Sequence, residues 1–241
     1  MTRLNCRIDR NNVFFLEFFG ALIGDGCLVR FWRKDKQCWA FRVFLTGNAS
    51  TDRDYFRGYL RGLLSAIGIY GYFRARRKSN KKNANCVDLV VNNKAFAQFL
   101  ISLEFPVGKK GNIVLPDWVL RLPLKKKTLV LRGIFDTDGC LSARKSENYS
   151  RPFVLISSKS KPFRLQLKQI IRELGLPAYE SGHLVGINGI QNTLNWFELV
   201  GSRNNRNLSR FLGWKTSGKL PMVANKNVLR ANNVVKTIAG P

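Results

Sequence analysis

The sequence predicts an α+β fold built from two related αββαββα halves, and three observations carry that reading. First, the segment Phe18-Phe19-Gly20-Ala21-Leu22-Ile23-Gly24-Asp25-Gly26-Cys27-Leu28 returns 113 residues later as Leu131-Arg132-Gly133-Ile134-Phe135-Asp136-Thr137-Asp138-Gly139-Cys140-Leu141. Second, the residues after each copy match in order. Leu45-Thr46-Gly47-Asn48 precedes a helical stretch ending in Ile67-Gly68-Ile69, and Ile156-Ser157-Ser158-Lys159 precedes one ending in Leu174-Gly175-Leu176. Third, β-branched and aromatic runs alternate in each half with stretches whose apolar residues fall three and four apart.

The apolar stretch from Val13 to Ile23 reads as the first helix. Glu17 interrupts it, and Asp25-Gly26 stands where a small-residue cleavage site would be. Strands are expected at about 27 to 34 and 38 to 46, then, after a helix, at 69 to 77 and 86 to 92, with a third helix from Phe96 to Leu103. Pro116 to Lys127, with Pro123 and three consecutive lysines, reads as the junction. The second half then gives strands at about 140 to 146, 152 to 158, 177 to 181 and 184 to 188, and a closing helix from Leu194 to Val200. The domains are therefore set at 1–116 and 128–212, with a linker at 117–127 and a basic tail at 213–241.

At 241 residues and 45% hydrophobic, the chain can bury a sizeable core. Its 41 Lys and Arg against 15 acids give a formal charge of +26, which repels itself unless a polyanion shares it, so nucleic acid is the expected partner. No apolar run approaches the ~18 residues that a spanning helix needs, so a soluble, intracellular protein is expected. Five scattered cysteines with no Cys-x-x-Cys pair argue against a disulfide framework or a zinc site and read as reduced core thiols. A catalytic triad or a histidine-dependent nuclease would have to rest on His183 alone, which reads as a loop or strand residue.

The repeated segments carry the chemistry. Each is an apolar helix ending in Asp-Gly; the glycine suits a left-handed cap, but the aspartate sits at the negative end of the helix dipole. Gly20 and Gly24 share one helical face, as do Gly133 and Thr137, so two such helices can cross closely and bring Asp25 and Asp138 together. Two close carboxylates repel unless they share a proton or bind cations, and Mg2+ takes carboxylate, water and phosphate oxygens. In a chain this basic the phosphate would be that of a nucleic acid backbone, which makes the pair a nuclease site.

With these motifs the chain resembles the LAGLIDADG homing endonucleases of the single-chain, two-motif type. Leu131 to Gly139 match the motif well apart from Arg132 and Phe135, Phe18 to Gly26 match more loosely, and the ordered repeat extends the resemblance over roughly 13 to 212. The resemblance implies two pseudo-two-fold-related domains packed through the motif helices, each with a four-stranded antiparallel saddle-shaped sheet in the DNA major groove. It implies a monomeric, Mg2+-dependent enzyme that cuts both strands across the minor groove of a long, partly palindromic site. Asp25 and Asp138, with Gly24 and Thr137 beside them, would hold two or more divalent cations, and Asp136, replaced by Ile23 in the first copy, would be structural. Gly108-Lys109-Lys110 fits a family-like Gly-x-Lys segment, which makes Lys110 a catalytic candidate. The other half offers Arg206 as an electrostatic substitute. After the second strand of each half, Asn48 and Ser158 are candidates for positioning water, and Lys159 is a further catalytic candidate.

Sequence reading is assigned to strands. Alternation over 69 to 77 puts Tyr72, Arg74 and Arg76 on one face, and an arginine on a strand in the major groove can pair bidentately with guanine. Arg33, Arg42, Arg144 and Arg151 are further DNA contacts, Lys81 and Lys82 on a strand turn are phosphate contacts, and Trp32 and Trp39 read as core. The competing reading is an RNA-binding intron maturase, a non-catalytic splicing cofactor. The chain opens on Met1, without Cys or Ser there, which favours a freestanding intron-encoded protein.

Overall fold

The computed structural model describes residues 8–75 and 85–222. Helix α1 (Val13–Asp25) leads into β1 (Gly26–Arg33) and β2 (Cys38–Asn48). A π-helical turn over Tyr55–Leu60 then runs into α2 (Arg61–Ala66), followed by β3 (Tyr72–Ala75), β4 (Cys86–Val91) and α3 (Lys94–Ser102). After the single turn α4 (Asp117–Leu120) the order returns as α5 (Leu124–Asp138), β5 (Gly139–Ala143), β6 (Pro152–Ser157), α6 (Lys161–Glu173), β7 (Ala178–Ser181), β8 (Leu184–Asn188) and α7 (Ile190–Leu199). One more helix, α8 (Asn205–Ser217), comes next. Local chemistry starts the helices: the Asn12 side chain accepts from the amides of Phe14 and Phe15 at the head of α1, and Ser160 does so for Phe163 at the head of α6.

The two sheets are antiparallel, with strand orders β1-β2-β4-β3 and β5-β6-β8-β7. Gly26 faces Leu45 in the first sheet and Gly139 faces Ile156 in the second, so both start in the same register. Strand alternation gives each sheet one face on the helices. Leu28, Val43, Leu45, Leu89 and Val91 are buried on it in the first sheet, and Leu141, Val154, Ile156, Val185 and Ile187 in the second. The opposite, outer face carries Cys27, Arg42, Phe44 and Thr46 in the first sheet, and Cys140, Phe153 and Leu155 in the second.

Several expectations change here. Cys27, Cys38, Cys86 and Cys140 are free thiols but not core ones: all four occupy outer-face positions, and none is buried. Trp32 and Trp39 are not core either. They pair across the β1–β2 hairpin near its tip, 44% and 47% exposed, with ring centroids 5.4 Å apart and the Arg30 guanidinium 4.1 Å over Trp39. The strand expected over 140 to 146 stops at Ala143, because a 3-10 turn over Lys145–Glu147 and left-handed Asn148 (φ 50) and Tyr149 (φ 57) turn the chain back. Pairing of β3 begins only at Tyr72. Arg76, Lys81, Lys82, Cys6 and the tail beyond Met222 lie outside the described residues. Among the described residues no helix is long and apolar enough to cross a membrane.

Helices α1 and α5 pack face to face through glycine. A Cβ on Gly20 would strike the carbonyl of Val130, and one on Gly133 would strike the carbonyl of Glu17. The repeat offset maps Glu17 and Gly20 onto Val130 and Gly133, so these are one contact seen from its two ends. Gly24 meets Thr137, its own counterpart, which sets that pair on the pseudo-two-fold axis.

This geometry reverses an ordinary propensity rule. An alanine in a helix interior is normally worth ~1 kcal/mol over glycine. Gly20→Ala and Gly133→Ala are nonetheless expected to destabilise by ~1–3 kcal/mol, since backbone must move to admit the methyl. Gly62→Ala, on α2 with open space around its Cβ position, should stabilise by ~0.5–1 kcal/mol. Urea unfolding of the three variants measures the contrast, and a stabilised Gly133→Ala would refute the close crossing.

Candidate active site at the paired helix ends

Asp25 and Asp138 are the last residues of α1 and α5, so the crossing that seats Gly24 on Thr137 brings both carboxylates to one end of the interface. The glycines immediately after them are not left-handed caps: Gly26 (φ −82) and Gly139 (φ −100) are extended. They are glycine because a Cβ would strike Leu22 and Phe135 of the preceding turn. The chain thus passes from helix to strand without a loop, and each carboxylate is held at the root of a sheet.

Burial pushes the Asp25 carboxyl up to about 7, with the charge of Asp138 adding to the shift. Burial also pushes Asp138 up, to about 6, against the pull of Lys110 and Arg206. These two cations stand at corresponding places. The Lys110 ammonium donates to the carbonyls of Leu22 (3.1 Å), Ile23 (2.8 Å) and Gly24 at the end of α1. The Arg206 guanidinium donates to the carbonyls of Thr137 (3.3 Å) and Gly139 (3.2 Å) at the end of α5. Each satisfies carbonyls that a helix end leaves orphaned and opposes the negative pole of its dipole. Burial lowers the pKa of Lys110, while Asp138 and Asp25 raise it.

The loop that delivers Lys110 needs its glycine. Gly108 is left-handed (φ +89), and its amide donates to Leu28 on the open edge of β1 (2.7 Å). In the second half Asn207 does the corresponding work, accepting from the amide of Leu141 on the edge of β5 (3.3 Å).

Asp52 escaped the sequence reading. It is buried, accepts from the Asn48 amide (2.9 Å) and the Asn204 side chain (3.0 Å), lies 3.7 Å from the Arg206 guanidinium, and adds to the upward push on Asp25. The repeat could not reveal it, because the corresponding stretch of the second copy, Ser158 to Arg172, holds no acid. Asp136 is fully buried: it accepts from the Ser202 hydroxyl and the Arg203 amide (2.8 Å), and burial pushes it up to about 7. Glu17 and Arg132 pair across the helix interface at 3.2 Å, with Tyr59 donating to Glu17 (2.8 Å) and Arg132 donating to the Val200 carbonyl (2.5 Å).

Other candidates make contacts of their own. Asn48 accepts from the Ser50 amide (2.8 Å) and the Asn85 side chain (3.2 Å), and Ser158 accepts from the Ser160 amide (3.3 Å), so both side chains close their own loops. Lys159 is exposed beside Ser158, and only its carbonyl is engaged, by Arg164 (3.1 Å). The carbonyls of Gly24 and Thr137 already serve Lys110 and Arg206.

On the first sheet Arg33 pairs with Asp35 (2.5 Å) and Arg74 with the buried Asp88 (2.7 Å). The Arg42 Nε donates to Asn92 (3.1 Å), which in turn donates to the Tyr72 hydroxyl (3.3 Å). Arg144 lies 3.7 Å from Glu147, and Arg151 is exposed.

The family model described as LAGLIDADG-like domain matches residues 125–212. Residues 125–212 are therefore similar to a LAGLIDADG-like domain. The chain as a whole has the fold of the LAGLIDADG meganucleases. A variant of the homing endonuclease I-DmoI superposes with TM-score 0.56 at 12% identity, over 80% of this chain and 91% of that one. The LAGLIDADG meganuclease I-AabMI gives 0.52 at 11%, over 95% and 100%. A variant of I-SmaMI gives 0.55 at 12%, over 92% and 93%. Among curated proteins, the tRNA-splicing ligase RtcB of Pyrococcus abyssi (strain GE5 / Orsay) is 33% identical over 98 residues, 40% of this chain. The match spans 11% of that relative's length, so its ligase activity is not carried over.

The raised carboxyls of this LAGLIDADG fold make stability depend on pH. Asp25, Asp136 and Asp138 bind protons more tightly folded than unfolded, so the folded chain holds the extra protons between about 4, the ordinary carboxyl value, and about 7. The free energy of unfolding must therefore fall as pH rises through that window. The urea midpoint of the metal-free protein should drop from pH 5 to pH 8, and the drop should be shallower in Asp25→Asn. A midpoint that climbs over the same range would contradict the burial of these groups.

Proposed function

We propose that the chain is a monomeric, site-specific endonuclease of double-stranded DNA, with two half-domains related by the pseudo-two-fold axis, the second opening with α5 at Leu124 inside the stretch 117–127 expected as a linker. One observation carries this reading. Two partly buried carboxylates sit side by side at the ends of paired helices, each helix end is held by its own cation, and the charge of the chain is +26. The solved relatives agree in kind: I-DmoI has been seen with its target DNA in the presence of Mn, and I-AabMI bound to uncleaved DNA. The alternative of an RNA-binding splicing cofactor gains nothing from these neighbours.

A divalent cation fits the donors present. Asp25 and Asp138 offer hard anionic oxygens at one end of the helix interface, and burial, which penalises an uncompensated charge, favours a cation paired with them. Among the described residues no group of three or more His, Cys, Asp or Glu side chains is placed to hold a metal. That suits Mg2+ or Mn2+, which take one or two carboxylates and complete their shell with water and phosphate oxygens. When bound, such an ion would polarise the phosphate and lower the pKa of a coordinated water. The chain's own residues do the rest. Asp25 and Asp138 hold the negative charge that recruits the ion. Lys110 and Arg206 keep the helix ends from repelling the phosphate and present positive charge where the transition state gains negative charge.

Asp25→Asn and Asp138→Asn should each abolish double-strand cleavage with Mg2+ while DNA binding stays within a few-fold, since neither changes a sheet. A supercoiled plasmid carrying the target reads nicked and linear products separately. Linear product at the parental rate from either variant would remove that aspartate from the site.

Lys110→Met should slow cleavage by roughly a hundredfold, the usual cost of losing a charge-stabilising donor. Arg206→Lys, which keeps the charge, should cost much less. Single-turnover rates at saturating DNA separate these outcomes, and equal losses would mean that both cations serve only to hold the fold.

A further inference from the structure

The registers let the outer faces of the two sheets be compared position by position. Since Leu45 and Ile156 correspond, Arg42 corresponds to Phe153, Phe44 to Leu155 and Thr46 to Ser157. One strand further, Asp88 corresponds to Leu184. At the far edge Arg74 corresponds to Ser181. Every charge on these positions of the first sheet is thus replaced by an uncharged side chain in the second. One polar pair survives in both: Asn92 donates to Tyr72 at 3.3 Å, and Tyr179 donates to its counterpart partner Asn188 at 3.3 Å.

Phe153, Leu155 and Leu184 are partly exposed and take no part in the hydrophobic core. Tyr179 lies flat over Gly186, where a Cβ would strike its ring. Beside this apolar surface stand cations: the Arg144 guanidinium is 6.0 Å from the Phe153 ring, and Arg151 is exposed on the same connection. A face with an uncharged centre and a basic rim suits a duplex groove, whose phosphates meet the rim while base edges meet the centre.

We infer that the second sheet reads its half of the target through thymine methyl groups, by apolar contact from Phe153, Leu155 and Leu184, whereas the first sheet reads its half by hydrogen bonds from Arg42 and its neighbours. The inference rests on the DNA endonuclease reading above. In the major groove only thymine offers a methyl; guanine offers two acceptors and cytosine a donor. An apolar side chain pressed on a guanine or cytosine edge strips its water and returns no hydrogen bond, so such pairs are rejected. The half-site under the second sheet is therefore rich in A·T pairs with thymines facing Phe153, Leu155 and Leu184.

The test begins with the full chain selecting duplexes from a randomised library. Arg42→Ala identifies the half-site read by the first sheet as the one whose base profile it alters. Thymines are then replaced by deoxyuridine, which removes only the methyl, in one half-site at a time. In the half read by the second sheet each contacted thymine should cost about fourfold in affinity, the equivalent of ~0.8 kcal/mol per buried methyl at 1.4 kcal/mol per factor of ten. Leu155→Ser should remove part of that sensitivity while the chain stays folded at the temperature of the assay, because Leu155 is outside the core. Specific binding that is indifferent to deoxyuridine in that half, or a half-site rich in G·C, would overturn the inference and leave the endonuclease reading standing. A library that yields no enriched and no cleaved duplex would overturn both.

Discussion

The close approach of α1 to α5 is the constraint on which the rest of the molecule depends. Glycine at 20 and 133 lets each helix rest on a carbonyl of the other, and Gly24 against Thr137 holds the crossing near its C-terminal end. Two helix ends, both negative poles, are thereby set side by side, each bearing an aspartate. Such an end would fly apart or take up protons without compensation. Lys110 and Arg206 provide it from outside the helices, each delivered by the segment that also covers the open edge of its sheet. Helix crossing, strand edge and helix-end cation are one coupled unit in each half.

Much of this was legible because the chain repeats itself. The 113-residue offset exposed the paired Asp-Gly ends and the small residues at the crossing, and alternation placed Tyr72 and Arg74 on the outer face. The features that stayed hidden have no counterpart in the other copy. Asp52 has no acid to match it in the second half, and of the ion pairs of Arg33 and Arg74, the one with Asp88 becomes visible only through the strand register. The cysteines and tryptophans were misjudged for another reason. Composition ranks them as buried types, yet alternation sets every second strand position on the face away from the helices, where cross-strand neighbours decide exposure, and Trp32 and Trp39 stand near a hairpin tip.

The two halves have kept different things. Backbone pairing, edge cover, helix-end cations and the Tyr–Asn pair recur, whereas outer-face charge does not. This division reflects the neighbours of each feature. A change at the crossing disturbs both halves at once, because the halves share that interface, and a change at an edge strand disturbs the segment that delivers the cation of its half. A change on the outer face of one sheet touches only what that sheet meets, so it is free to diverge.

The buried polar residues of the interface fit the same logic. Glu17 and Asp136, with the half-buried Arg132, cost desolvation energy that an apolar seam would avoid, and an ion pair largely withdrawn from water is a poor source of net stability. Their effect is on register. A slip of α5 by one turn, ~5.4 Å, would keep apolar side chains in contact with apolar side chains. It would also strand Glu17 away from Arg132, and breaking such a pair costs ~3–5 kcal/mol. Since Asp25 and Asp138 meet only when Gly24 faces Thr137, the register enforced near the middle of the helices decides whether the carboxylates at their ends form a site at all.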